Sequence, residues 1–370
     1  MNKENSDGLK LAFTDEYIKV LRLSDKTVYI DDTNTKGLIR QKGATYWISL
    51  DSQNQTLYAG IGEARMETCV YRYTWSSTAK IQPFLESLYR ILPSEESLTL
   101  TLTTLLRDPI RASIPLLIKD TDDLTMNDIA KATYLPRAHL STVSKQLYDC
   151  ISGKQFVLDD GDFPDFSKAI QHSIITPGLW CNTRLKEKAN EFSKDKPNPD
   201  ETYLRITLNQ NNGESPGIPY VMEIWPAGHY SPIHNHGESS AIIRILHGSI
   251  QMELYPFLCE SESGIKPFTT THCEKDDITW ISPTLNQIHK LTNITNDSCI
   301  TIQCYMYESD NTTHYDYFDY INADGKEQQY TPDSDMDFLQ FKALMKTEWD
   351  EHQPLQSITK RPRRRWCKLF

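Results

Sequence analysis

Three histidines are the side chains of this 370-residue chain best placed to do chemistry. His234 and His236 sit two apart in Ser231-Pro-Ile-His-Asn-His-Gly-Glu, and His289 follows later in Trp280-Ile-Ser-Pro-Thr-Leu-Asn-Gln-Ile-His. In an extended strand, side chains two apart share a face. The pair would then converge on one point, and an imidazole from a second strand would complete a metal site. Three neutral imidazoles leave a divalent ion its full charge. Such an ion favours an anionic ligand from the substrate, and a thiolate suits Fe(II) with open positions. Glu238 continues the alternation, but its place after Gly237 reads as a solvent-facing loop carboxylate.

Strands must position these rings. They are expected over Tyr203 to Leu208, Tyr220 to Trp225, Ala241 to Leu246, Ile250 to Tyr255, Asp277 to Ile281 and Ile300 to Tyr307. A polar turn with Gly and Pro covers Asn209 to Pro219, and Asn293 reads as a turn-fixing residue. Many short antiparallel strands suggest closure into a jelly-roll barrel. On the last of these strands the alternation Thr301-Ile-Gln303-Cys-Tyr305 sends Thr301, Gln303 and Tyr305 inward together and Cys304 outward.

The spacing Gly228, His234, His236, Gly248 and then His289 with Asn293 resembles the two-part cupin signature. Tyr203-Leu-Arg205, Ile224-Trp-Pro-Ala-Gly228 and Ser231-Pro-Ile-His-Asn-His together resemble the thiol dioxygenases, cysteine dioxygenase among them, over roughly residues 200 to 308. The resemblance implies Fe(II) on His234, His236 and His289, a small thiol and O2 as substrates, and a sulfinate product. It implies Arg205 as the clamp for a substrate carboxylate, which suits a forked guanidinium, and Tyr305 as the catalytic phenol. Tyr203, Trp225, Met222 and Gln303 become wall residues. Gln303 stands where the family has a histidine, and an amide cannot titrate near neutrality. Ala241 stands where animal enzymes carry a cysteine cross-linked to the tyrosine, so that link cannot form.

Upstream, residues 1–120 read as a β-rich, sandwich-like module. Its strands are expected over Leu9 to Phe13, Val28 to Ile30, Tyr46 to Leu50, Leu57 to Ile61, Cys69 to Trp75 and the alternating run from Leu98, with one helix from Ile81 to Leu92. Tyr46-Trp-Ile-Ser with Gly60-Ile-Gly-Glu resembles small β-sandwich domains related to farnesoic acid O-methyltransferase. Residues 121–200 read as mostly helical. Ser141 caps a helix with a Val143, Leu147, Ile151 stripe ended by Gly153, and Pro164 opens another through His172. The cupin domain spans 201–320. Residues 321–370 hold a helix, capped by Ser334, with Phe338, Phe341, Met345 and Trp349 on one face. The fold class expected is mainly β.

A net charge of −11 argues against nucleic-acid binding. Eight cysteines without a CxxC pattern fit reduced thiols, and the polar start is not a secretory leader. A cytoplasmic monomer is expected. The basic tail Lys360-Arg-Pro-Arg-Arg-Arg ends in Cys367-Lys-Leu-Phe, which fits a prenylation box loosely. Lipidated Cys367 beside that basic run would bring peripheral membrane contact. Two classes of function stay open: a thiol dioxygenase, for cysteine, 3-mercaptopropionate or an N-terminal cysteine, and a metal-bearing cupin that senses or binds without catalysis.

Overall fold

The computed structural model describes residues 7–13, 17–32, 44–76, 81–88, 108–110, 112–192, 196–209, 220–260, 265–308 and 317–359, with side chains to residue 352. The strand expected from Leu98, the turn at 210–219, and the basic tail with Cys367 lie outside them. No helix among the described residues is long and apolar enough to cross a membrane. The chain divides into two units: residues 1–114 with 255–269, and residues 115–254 with 270–370. The helical segment and the C-terminal helix thus belong to one unit with the strands that carry the histidines. The class is mainly β.

In the first unit, β1 (Leu9–Phe13), β2 (Ile18–Arg22) and β3 (Val28–Asp32) form one sheet, and β4 (Tyr46–Asp51), β5 (Thr56–Ile61) and β6 (Cys69–Thr74) form another. Tyr29 packs edge-on against Trp75 at 6.1 Å, joining the two. The helix α1 (Gln82–Ser87) ends where Leu88 turns extended, and the rest of the expected span to Leu92 lies outside the described residues.

The second unit is built on two larger sheets. One runs in the order Met336–Asp337 (β20), Leu204–Asn209 (β9), Tyr220–Trp225 (β10), Cys299–Met306 (β17), Ser240–His247 (β12), Ile278–Ile281 (β15), Leu117–Lys119 (β7) and Leu135–Pro136 (β8). The other runs Thr269–Glu274 (β14), Ser249–Leu254 (β13), His289–Thr292 (β16), Ile233–His234 (β11), Phe318–Ile321 (β18) and Glu327–Tyr330 (β19). The strands form a double sheet; no closed barrel joins them among the described residues. β10, β12 and β17 are buried almost residue by residue, so hydrophobic runs replace strict alternation. Helices cover one of their faces. The helix α3 (Thr142–Ile151), capped by Ser141, buries Val143, Leu147 and Ile151 as expected, and Cys304 reaches the Leu147 carbonyl. Its C-cap is Ser152, one residue before the expected Gly153.

The second expected helix is α4 (Phe166–Ile175), followed by α5 (Trp180–Glu187), which the sequence analysis did not separate. The last helix, α6 (Phe338–Thr359), buries Phe341 and Met345. Its cap is not Ser334: the Asp337 carboxylate accepts the Leu339 N–H at 2.9 Å, and the Ser334 hydroxyl turns to the Met336 carbonyl.

Gly248 stands at the corner between β12 of one sheet and β13 of the other. Its φ is +70°, and a Cβ there would lie 2.6 Å from the Ser298 carbonyl oxygen. Gly248→Ala is therefore expected to destabilise the fold by at least the ~1–3 kcal/mol of a forced left-handed residue, read as a lower midpoint in denaturant unfolding.

Candidate metal centre

The pairing of β11 with β16 sets His234 directly opposite His289. His236 is not on a strand, as the spacing had suggested. β11 ends at His234, and the chain turns through Gly237 at φ +55° and Glu238 at φ +63°. The turn rather than the pleat swings His236 inward, and it leaves Glu238 exposed as expected. The ring centroids lie 4.7 to 4.9 Å apart. The three ligand atoms fall within 4.8 Å of one another.

Nε2 of His236 and Nε2 of His289 are 3.3 Å apart. Two nitrogens each about 2.1 Å from one ion would stand roughly 3.0 to 3.4 Å apart, so the spacing fits a common ion. His234 donates from Nδ1 to the Pro232 carbonyl at 3.0 Å, and His289 Nδ1 faces the Asn286 carbonyl at 3.4 Å. These contacts leave both Nε2 atoms free to ligate, the arrangement that orients metal-bound imidazoles. Nδ1 of His236 is buried with no hydrogen-bond partner among the described residues. Burial pushes His234 down to about 4, with the Arg205 charge adding to it, and lowers His236 and His289 strongly, where repulsion from the neighbouring rings adds. All three are therefore neutral at pH 7 and could hold a metal without first losing a proton.

The facing sheet supplies the other half of the site. Arg205, Glu223 and Thr301 lie in register on β9, β10 and β17. Gln303 and Tyr305 follow Thr301 on the same face, as the alternation required. The Tyr305 hydroxyl donates to the Gln303 carbonyl oxygen, and the Gln303 amide donates to Glu223 Oε2. Arg205 Nη1 donates to Glu223 Oε1 at 3.1 Å. Burial and the Glu223 charge push the Tyr305 phenol well up, so it is a donor and not a base. Its ring stacks on His236 at 5.4 Å, which joins the two sheets at the site. Ala241 stands opposite Tyr305, confirming that no cross-link forms there.

Glu223 is the residue that the sequence analysis missed. It lies in a run of apolar side chains, Tyr-Val-Met-Glu-Ile-Trp, where a single acid two residues from Trp225 was the available signal. Its presence corrects the expectation for Arg205. The guanidinium is buried beside the histidines, but the carboxylate it holds is the protein's own. Burial lifts Glu223 to about 7 against the pull of Arg205, while Glu223 in turn raises Arg205 and keeps it charged.

The expected wall residues also need revision. Tyr203 and Trp225 are stacked on each other at 4.2 Å, and both are buried. Met222 faces the other side of the sheet, in a separate cavity of about 160 Å³ with Leu208, Leu246, Ile302 and Phe338. The cavity beside His234 holds about 10 Å³, the room of roughly one water molecule. It is lined by Phe192, Tyr203, Pro232, Phe318, Tyr320 and Tyr330 as well as His234, so of the expected substrate contacts Tyr203 alone borders it. Phe318 closes over the metal side, 4.7 Å from His236. Asn293 ties a turn, donating to the Trp225 and Asp297 carbonyls.

No family model matches the chain. Solved structures similar to it include the cupin domain of Cnp3 from Schizosaccharomyces pombe, at 16% identity over 29% of this chain and 66% of that one, with a TM-score of 0.24. Oxalate oxidase bound to the substrate analogue glycolate is 14% identical over 29% of this chain and 52% of its own, at 0.24. The cupin domain of an XRE-family transcriptional regulator from Enterobacter cloacae is 10% identical over 29% and 97%, at 0.22. This chain thus spans under two thirds of the first two. Likeness this slight carries no argument about chemistry, which rests on the side chains.

Two outcomes are expected. Purified protein should carry one divalent ion, and alanine at His234, His236 or His289 should weaken its retention more than the ~10–100-fold that outer partners cost, as read by metal analysis after dialysis. Glu223 binds a proton in the folded state up to about pH 7, whereas its ordinary value is 4.5. The folded chain therefore holds the extra proton between those limits, and the contribution of Glu223 to stability falls as pH rises through that window. The three lowered histidines add a slope of opposite sign to wild type and variant alike, so melting curves from pH 4.5 to 7.5 should show Glu223→Gln gaining on the wild type as pH rises.

Proposed function

We propose that the chain is an Fe(II)-dependent thiol dioxygenase, taking a small thiol to its sulfinate. The observation that carries this reading is the convergence of three neutral imidazoles on one point, His236 and His289 buried and His234 half-buried, with a hydrogen-bonded phenol stacked on one of them. Cysteine and 3-mercaptopropionate remain the reference substrates for the reaction class. The stoichiometry needs no further reductant: both atoms of O2 end on sulfur, which loses four electrons as O2 gains four.

Iron(II) held by His234, His236 and His289 would supply the one-electron chemistry that lets dioxygen react with a thiolate. The chain's own residues do the rest. Phe318 and the tyrosines beside His234 leave room for only about one water molecule, and so dry a site strengthens every polar contact inside. Gln303 accepts from Tyr305 and donates to Glu223, so the amide holds the phenol in place and relays no proton. Tyr305 keeps its proton at neutral pH and acts as a hydrogen-bond donor.

A second reading has a specific observation in its favour. The small cavity of about 10 Å³ and the internal partner of Arg205 suit a metal-bearing cupin that senses or binds without turnover. Oxygen uptake by iron-loaded protein separates the two. With the thiol dioxygenase, one O2 disappears per sulfinate formed, and Tyr305→Phe lowers kcat about fivefold, since one hydrogen bond is worth ~1 kcal/mol and ~1.4 kcal/mol is a factor of ten. Iron retained with no uptake for any small thiol would leave the binding module as the function.

A further inference from the structure

The charges around the three histidines are already matched within the protein. Arg205 pairs with Glu223 at 3.1 Å. Next to it, Lys188 pairs with Asp335 at 3.0 Å and Glu191 at 3.4 Å, and Arg184 pairs with Asp335 at 2.8 Å. Arg184 also pairs with Glu187 at 3.2 Å, so three cations face four carboxylates, and Lys188, Arg205 and Glu223 are all buried. Glu223 has a second anchor in the Gln303 amide, so it cannot swing aside without leaving two buried groups unpaired. An entering carboxylate would have to displace Glu223 from the Arg205 guanidinium.

The cavity beside His234 has the opposite character. Five of its seven lining side chains are aromatic: Phe192, Tyr203, Phe318, Tyr320 and Tyr330. No cation lines it among the described residues. Aromatic faces attract an ammonium group through their negative quadrupole, and one ring here already does so, with Lys188 Nζ 5.6 Å from the centroid of Tyr203. A space of about 10 Å³ admits a group the size of a water or an ammonium, and His234 is the imidazole that borders it.

We propose that this site selects a small aminothiol without a carboxylate: Glu223 shuts Arg205 to acids, and the aromatic walls receive the amine. The proposal rests on the thiol dioxygenase reading for its sulfur chemistry, but the selection is a binding property and is measured without turnover. Iron-loaded protein under nitrogen would be titrated by calorimetry with cysteamine, L-cysteine and 3-mercaptopropionate. Cysteamine should bind at least tenfold more tightly than 3-mercaptopropionate, with cysteine between. Glu223→Gln frees Arg205, so 3-mercaptopropionate should gain at least tenfold, and millimolar acetate should raise the melting temperature of the variant and not of the wild type. Wild-type protein that binds 3-mercaptopropionate as tightly as cysteamine overturns the proposal, and this comparison stands even if the variant does not fold. A variant that folds but gains nothing for either acid overturns it as well. Air is then admitted. Binding in the expected order with no oxygen uptake sinks the dioxygenase reading alone, whereas uptake faster with cysteine than with cysteamine sinks the selection alone.

Discussion

The centre depends on one constraint: three imidazoles must be dry and uncharged at the same time. Burial holds all three low, helped by repulsion between rings at His236 and His289 and by the Arg205 charge at His234 and His236. The backbone pays for this with two devices, the cross-strand pairing of His234 with His289 and the left-handed turn after His236. Neither alone brings three nitrogens together. The antiparallel register fixes one pair, and the turn supplies the third ring.

The facing sheet answers the same constraint differently. There the polar groups are kept charged or hydrogen-bonded by one another: Tyr305 to Gln303, Gln303 to Glu223, Glu223 to Arg205. A buried ion pair of this sort is weak evidence for stability, yet removing one member leaves a stranded charge. The chain of contacts therefore behaves as a unit. Tyr305 stacks on His236, so the unit is coupled to the metal side through ring contact rather than through a hydrogen bond.

Much of this was legible beforehand. β10 spans Tyr220 to Trp225 as read from its pattern, and the inward set Thr301, Gln303, Tyr305 followed from alternation alone. The histidine cluster was legible because metal ligands have few substitutes and a short spacing. The failures have physical causes. His236 was placed on a strand because alternation says nothing about where a strand of two residues ends; the glycine after it was the clue. Short edge strands such as β18 and β19 carry no periodic signal in four residues. Glu223 escaped because the partner of a buried arginine lies across a sheet, and its register with Arg205 depends on a turn outside the described residues.

Asp335 carries a consequence of another kind. Its carboxylate accepts the backbone N–H of Arg205 at 2.7 Å, across a separation of 130 residues, while Met336 pairs in parallel with Ile206. The strand that bears Arg205 thus lacks its outer neighbour until the chain has been synthesised 130 residues beyond it. Contacts closed over so long a loop are slow to form. A nascent chain on the ribosome would hold this edge open to other strands until Met336 has emerged, so the arginine side of the centre assembles well after its own strand.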